Sequence, residues 1–435
     1  MSDLKTLKTR YLFVDRFAIM MFLQYAIWGS WTTTLAGHLM RNLEFTGVQV
    51  GGIYGCLWLG CIIAPFIGGQ IADRWFPTQL FLSLAHIVGG VLLYFTALQQ
   101  DYNVMWNWMF AYALFYAPTL ALTNSICFRN LDNAEVEFGK IRMWGTIGWI
   151  AVGFMVTLMR LTWHTENWEG GSDVLMFAAA ASIVMGLYCL TLPNTPPVAS
   201  QKSPFAFLEA LSLLKDRNFF IFMIASFVVT TELQFYYMPT EPFLNDMGAE
   251  EAWVPLIKTV AQIAEVLVLL FLLHVSIQKL GIRTTMVIGV LAWPIRYFLF
   301  MIPNLPVIIS SLTLHGFGYA FFFVTSQIYV NMKASDDMRA SAQAMLTFFT
   351  LGVGNYLGTL FTGWIWEIHT TYLVNGIKVD ALGKFILDES GHKIPIYDWS
   401  SFFLIPGILC TVMALIFLLF FKDDHQATEA ELKSI

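Results

Sequence analysis

The chain has 435 residues, 57% of them hydrophobic and 12% charged, with a net charge of −6 at pH 7. A soluble domain carries about twice that charged share, so the composition excludes a water-soluble fold and points to an integral membrane protein. The net charge decides little, because orientation in a bilayer follows the placement of Lys and Arg. The opening stretch, MSDLKTLKTRYLFVDRF, is basic and has no small-residue cleavage site, so no removable signal peptide is expected. Cys56, Cys61, Cys127, Cys189 and Cys410 lie in apolar runs without CxxC spacing, which suits small buried hydrophobes rather than redox or metal chemistry.

A spanning helix needs about 20 mostly apolar residues. Such segments lie near 17–38, 47–68, 78–99, 104–126, 142–162 and 173–192. After a polar linker, 193–218, they resume near 219–240, 253–275, 284–302, 305–330, 341–366 and 399–421. This predicts an all-α integral membrane fold of twelve transmembrane helices in two six-helix bundles, residues 1–192 and 219–421, with a tail at 422–435. With the N-terminus inside, Arg10, Arg74, Lys140, Arg217, Arg283 and Arg339 fall with most other cations on the cytoplasmic side. The outer segments then hold only Arg41, Arg160, Lys378, Lys384 and Lys393. The asymmetry predicts that both termini are cytoplasmic. The linker's SPFAFLEALSLLKDRN portion reads as a short interfacial helix. In the outer insert 367–398, alternating apolar residues flank a DESG turn, which predicts a β-hairpin.

Charged side chains cost about 2.5–3.5 kcal/mol at the centre of a spanning helix, so they mark a cavity or a partner. Span eight, TVAQIAEVLVLLFLL, holds Gln262 and Glu265 three residues apart. In span five Arg142, Thr146 and Trp149 recur at i, i+4 and i+7, one face of a helix. In span seven Gln234 and Tyr237 share a face, and in span ten His315 and Tyr319 do. Together these groups can line a wet cavity for a neutral, polar solute with a ring. Structural readings compete: Arg142 snorkelling to the surface, Gln234, Gln262 and Thr146 gluing helices, Trp149, Tyr237 and His315 filling the core. Glu265 is the hardest to explain that way. Glu232 is expected to pair with Arg296, and Lys258 to snorkel to the headgroups at the outer end of span eight.

Two resemblances add to this. GGQIADRW, with Gly69, Asp73 and Arg74 after span two, resembles the G-x-x-x-D-R signature of the major facilitator superfamily. The resemblance implies a conformational gate at Asp73 and Arg74. LQYAIWGSWTTTL, FYAPTLALTNSICF, IRMWGTIGWI, ELQFYY, AQIAE and RASAQAM resemble the nucleoside:proton symporter family within that superfamily. By motif, the family's nucleoside-binding groups fall on Arg142, Thr146, Trp149, Gln234, Gln262 and Glu265. Departures occur at Tyr237, where a relative has a small amide, at His315 and Tyr319, where it has Tyr and Phe, and at Ala320, where it has an acid. Loss of that acid makes Glu265 the expected proton carrier, since burial favours its protonated form.

The expected function is therefore nucleoside import by proton symport through alternating access, in a bacterial inner membrane. The expected partners are a nucleoside, protons and the lipid bilayer, with no nucleic acid, no cofactor and no metal, and the carrier is expected to act as a monomer. A sugar or oligosaccharide:proton symporter is the alternative, because GKIRMWGTIGW also resembles that family. An enzyme is not expected: the chain has no HExxH, Ser–His or Asp-rich metal pattern.

Overall fold

The computed structural model describes residues 2–66, 76–131, 134–167, 171–197, 206–335, 338–374, 377–380 and 394–422. The long helices of the first half are α1 (Ser2–Thr32), α2 (Gly47–Ile63), α3 (Thr78–Ala97), α4 (Tyr102–Asn130), α5 (Ala134–Trp163) and α6 (Asp173–Cys189). In the linker, Ala206–Glu209 and Ala210–Lys215 form a short helix and a 3-10 turn, with Ala210 buried and Leu208 and Leu211 exposed. Then comes α7 (Arg217–Tyr237). The run Glu251–Phe300 breaks at Gly281, whose φ of 78° suits a residue without a Cβ. We label 251–280 α8 and 282–300 α9. They are followed by α10 (Leu305–Lys333), α11 (Arg339–Ile368) and α12 (Trp399–Phe420).

The boundaries follow local chemistry. Asp101 accepts the Val104 amide at 3.0 Å to start α4, and Asp216 accepts the Phe219 amide at 2.8 Å to start α7. Thr46 and Gln49 form a reciprocal capping box at α2. Among the described residues, seven helices are long and apolar enough to cross a membrane. Their outer faces carry large apolar side chains such as Leu158, Leu270, Phe271 and Leu419, as a lipid-facing surface requires.

Helices α1–α6 pack chiefly on one another, as do α7–α12, and the two groups meet along α2–α11 and α5–α8. The first seam is glycine-lined: a Cβ added to Gly47 would sit 2.5 Å from the Gly363 carbonyl oxygen, and one on Gly51 2.5 Å from that of Thr359. In the second, Leu256 N–H donates to Thr157 Oγ1 at 3.2 Å and Gly153 makes room for Pro255 and Thr259.

The 367–398 insert departs from the expected hairpin. Its strands β1 (Thr370–Val374), β2 (Ile377–Asp380) and β3 (Ile394–Tyr397) form an antiparallel sheet in the order β2-β1-β3. The strands on either side of the DESG segment pair with β1 and not with each other: Thr371 faces Asp380, and Thr370 faces Tyr397. DESG itself lies outside the described residues. In the sequence the two residues between β1 and β2 are Asn-Gly, a dipeptide that favours a two-residue hairpin over the DESG pairing.

Candidate functional site

On α5, Arg142, Thr146 and Trp149 share the face turned toward α1 and the second helical group. The Arg142 guanidinium lies over the Tyr25 ring at 4.0 Å, and its charge reaches Tyr319 and Glu265. Thr146 is half-buried. Trp149 is buried, its ring 5.3 Å from Trp28 and 6.4 Å from Tyr237. Gly29 leaves space for that indole, since a Cβ there would lie 2.8 Å from it.

From Trp149 a chain of side chains crosses to the second group. Tyr237 is 6.1 Å from His315, ring to ring, and His315 stacks on Tyr319 at 5.9 Å. His315 Nε2 is 3.9 Å from Glu265 Oε2. Gly316 permits this approach: a Cβ there would be 2.5 Å from the Ala264 carbonyl carbon, so α10 closes directly onto α8. Gln262 is buried on the same helix, and among the described residues its Oε1 has no hydrogen-bond partner. Wide π-helical turns follow Glu265 (Val268–Leu273), begin at Tyr319 (Tyr319–Val324) and precede Asn355 (Phe348–Gly354). Such turns interrupt the regular ladder and recur at functional sites.

Gln234 stands apart from this chain. Its Nε2 donates to Asn355 Oδ1 on α11 at 2.7 Å, which joins α7 to α11. Asn355, Tyr25 and Tyr236 are neighbours that pattern reasoning missed; Asn355, polar within the apolar GVGNYLG, was the visible clue. Asp73 and Arg74 lie outside the described residues.

Two expectations are corrected. Glu232 does not pair with Arg296: among the described residues Glu232 Oε2 is buried without a partner, and Arg296 has no carboxylate in ion-pair contact. Its guanidinium instead lies over Tyr236 at 4.3 Å and Trp293 at 4.7 Å, because these aromatic faces attract the cation. Lys258 does not snorkel. It is 1% exposed, and its Nζ donates to the Thr33 carbonyl at 2.7 Å and the Tyr237 carbonyl at 3.2 Å. Helix α1 breaks at Thr33–Thr34 and resumes at Leu35, which frees main-chain groups that need partners.

That break anchors a charge cluster at the sheet end of the molecule. Glu241, in the short helix Thr240–Asp246, is wholly buried and accepts the Gly37 N–H at 2.7 Å. The Arg41 and Arg160 guanidiniums each stand 3.7 Å from its Oε1. Arg160 also holds Asp173 at 2.8 Å, and Arg41 holds Glu251 at 2.9 Å. Glu241, Glu251 and Lys258 come from the second helical group, and Arg41, Arg160, Thr33 and Gly37 from the first. The two groups are therefore tied together at this end.

Two apolar-coated helical groups with ionisable and aromatic side chains along their seam define a membrane transporter with the major facilitator fold. A D-xylose-proton symporter structure, 13% identical, shares that fold with a TM-score of 0.67 over 96% of this chain and 100% of its own. The chain belongs to the family described as Nucleoside H+ symporter, which matches residues 13–426. YegT of Escherichia coli is 30% identical over 425 residues, 95% of each chain. The nucleoside permease NupG of Escherichia coli is 29% identical over 429 residues, 94% of this chain and 95% of its own. The crystal structure of the nucleoside transporter NupG matches with a TM-score of 0.78 at 28% identity, over 94% of this chain and 99% of that one. The protein is a proton-coupled nucleoside transporter of the importing kind.

Proposed function

We propose that twelve helices span a bacterial inner membrane with both termini cytoplasmic, and that residues 1–192 and 219–421 form two bundles that rock about a central nucleoside site. The carrier works as a monomer. The observation that carries this reading is the continuous chain Trp149–Tyr237–His315–Glu265 across the seam. A nucleoside has a flat base and a hydroxylated ribose. In our reading the base stacks against the cluster of Trp149, Tyr237 and Tyr319, while Arg142, Thr146, Gln234 and Gln262 bind the polar edges. Gln262 supports this with an unpaired buried oxygen. Glu265 takes a proton when the site faces outward and gives it up inward, with the Arg142 cation to balance the carboxylate. Asp73 and Arg74, by their motif, hold one conformation at the cytoplasmic end.

The test is nucleoside uptake into proteoliposomes under an imposed proton gradient. Glu265→Gln should abolish accumulation above equilibrium yet keep nucleoside exchange. Full accumulation by this variant defeats the proton assignment. A sugar substrate is the second reading, favoured by similarity to the sucrose permease of Escherichia coli, 23% identical over 231 residues, 51% of this chain. Competition of labelled uridine uptake by nucleosides but not by disaccharides rejects it.

A further inference from the structure

We infer that Arg296 holds His315 in a single neutral tautomer, so that His315 presents a fixed N–H to Glu265 and the pair acts as a positioning device for proton release. The inference rests on the reading of Glu265 as the proton carrier, and it concerns how that carboxyl is returned to its charged form.

The argument starts from a donor count. A guanidinium carries only N–H groups, accepts no hydrogen bond and stays protonated in proteins. Arg296 Nη1 lies 3.3 Å from His315 Nδ1. Nδ1 must therefore be the accepting nitrogen, and the ring proton must sit on Nε2. Nε2 is the atom that faces Glu265 Oε2, at 3.9 Å, and among the described residues it has no hydrogen-bond partner. While Arg296 stays in place, a proton on Nδ1 would point N–H at N–H. His315 can then donate to Glu265 but has no free site to accept its proton. It serves the ionised carboxylate and offers little to the protonated acid.

Arg296 is held for this task. It is wholly buried, and its guanidinium sits among the rings of Tyr236, Trp293 and Tyr297, at 4.3, 4.7 and 5.2 Å. Tyr297 is itself fixed by donating its hydroxyl to the Glu232 carbonyl. With no carboxylate in contact among the described residues, its directed polar contact toward the site is His315. The other charged groups near His315 and Glu265 are Lys258 on α8 and Arg142 on α5; Tyr236, Tyr237 and Tyr319 complete the surround. The present 3.9 Å exceeds a hydrogen bond, and closing it to about 2.9 Å takes a movement of about 1 Å, by the Glu265 side chain or by α10 on α8. Gly316 and the π turn at Tyr319 lie where that shift would occur.

The experiment compares His315→Gln, His315→Leu, Arg296→Gln and Arg296→Lys in proteoliposomes, reading gradient-driven nucleoside accumulation, gradient-free exchange and the pH dependence of exchange. A glutamine amide offers an oxygen to Arg296 and an N–H to Glu265, as the imidazole does. His315→Gln should therefore restore most of the accumulation that His315→Leu loses. His315→Leu and Arg296→Gln should reduce accumulation at least about tenfold and move the pH profile of the exchange that remains to higher pH by about one unit. Arg296→Lys should fall between. The inference is overturned if His315→Gln is as defective as His315→Leu, since His315 would then act by titrating, or if Arg296→Gln leaves the pH profile unchanged. Where Arg296→Gln does not fold, judged by nucleoside binding and elution in detergent, the His315 pair decides. Glu265→Gln, run beside them, separates the two failures. Full accumulation in that variant sinks the carrier assignment, whereas its loss together with a normal Arg296→Gln sinks this inference alone.

Discussion

Lys258, on the membrane-spanning helix α8, donates its ammonium to the main-chain carbonyl of Thr33 at 2.7 Å on the opposite helical group. A buried cation here does the work of a helix cap. It satisfies a carbonyl released by the break in α1, and the bond can exist only while the sheet ends of the two groups are together. Lys258→Met should leave that carbonyl unpaired and loosen the closure. A cysteine at the buried Thr34 position (Thr34→Cys) reports it: labelling by a membrane-impermeant thiol reagent from the sheet side should accelerate at least about tenfold over the same cysteine with Lys258 intact. An unchanged rate would make Lys258 a bystander to gating.

Glu241 and Glu251 touch the same arginine but differ in burial, fully buried against 29% exposed. Glu241→Gln leaves Arg160 and Arg41 without their shared buried anion and should lower stability by about 3–5 kcal/mol. Glu251→Gln breaks a partly solvated pair and should lower it by less than about 1 kcal/mol. Thermal unfolding in detergent ranks the two. Equal losses would show that exposure does not govern this cluster.

Trp149 is the ring on which the proposed base stacks, and it stands 6.4 Å from that of Tyr237. Aromatic–base stacking is worth about 1–3 kcal/mol, so Trp149→Ala should weaken nucleoside binding about fivefold to about 150-fold, and Trp149→Phe far less. Calorimetry on the purified protein measures both. An undiminished affinity in Trp149→Ala would move the base elsewhere.

Asp398 caps α12 by accepting the Ser401 N–H at 3.1 Å. Hydrogen bonds from Ser401 hold its carboxyl below the ordinary carboxylate range. A depressed acid contributes stability above its unfolded-state value and loses it as pH falls through the folded-state value. Asp398→Ala should therefore destabilise by about 0.5–1 kcal/mol at pH 7, at the low end for a cap because the group is exposed. The gap from wild type should shrink as the pH falls below about 4. A gap that stays constant with pH would assign the effect to packing.

The parts of the candidate site that share one helix face were legible in the sequence as a spacing. Arg142, Thr146 and Trp149 recur at helical spacing, as do His315 and Tyr319, and the structure brings the aromatic members into one line with Tyr237. What spacing could not give was the partner across a seam. Lys258 reads as a snorkelling residue because nothing in a side-chain pattern announces that α1 will break and expose the Thr33 carbonyl. Glu232 and Arg296 have complementary charges, but aromatic faces won the guanidinium, and ring geometry is a property of packing. The sheet differs from the expected hairpin for a related reason: alternation marks the strands but not which strand pairs with which.

The contact between Gly47 and Gly363 limits how this molecule can be altered. Backbone meets backbone there, so even a single methyl group has nowhere to lie except between α2 and α11. Such a wedge would leave the inner machinery untouched and prop the mouth ajar. A carrier jammed ajar still receives cargo on one side of the bilayer but delivers none to the other.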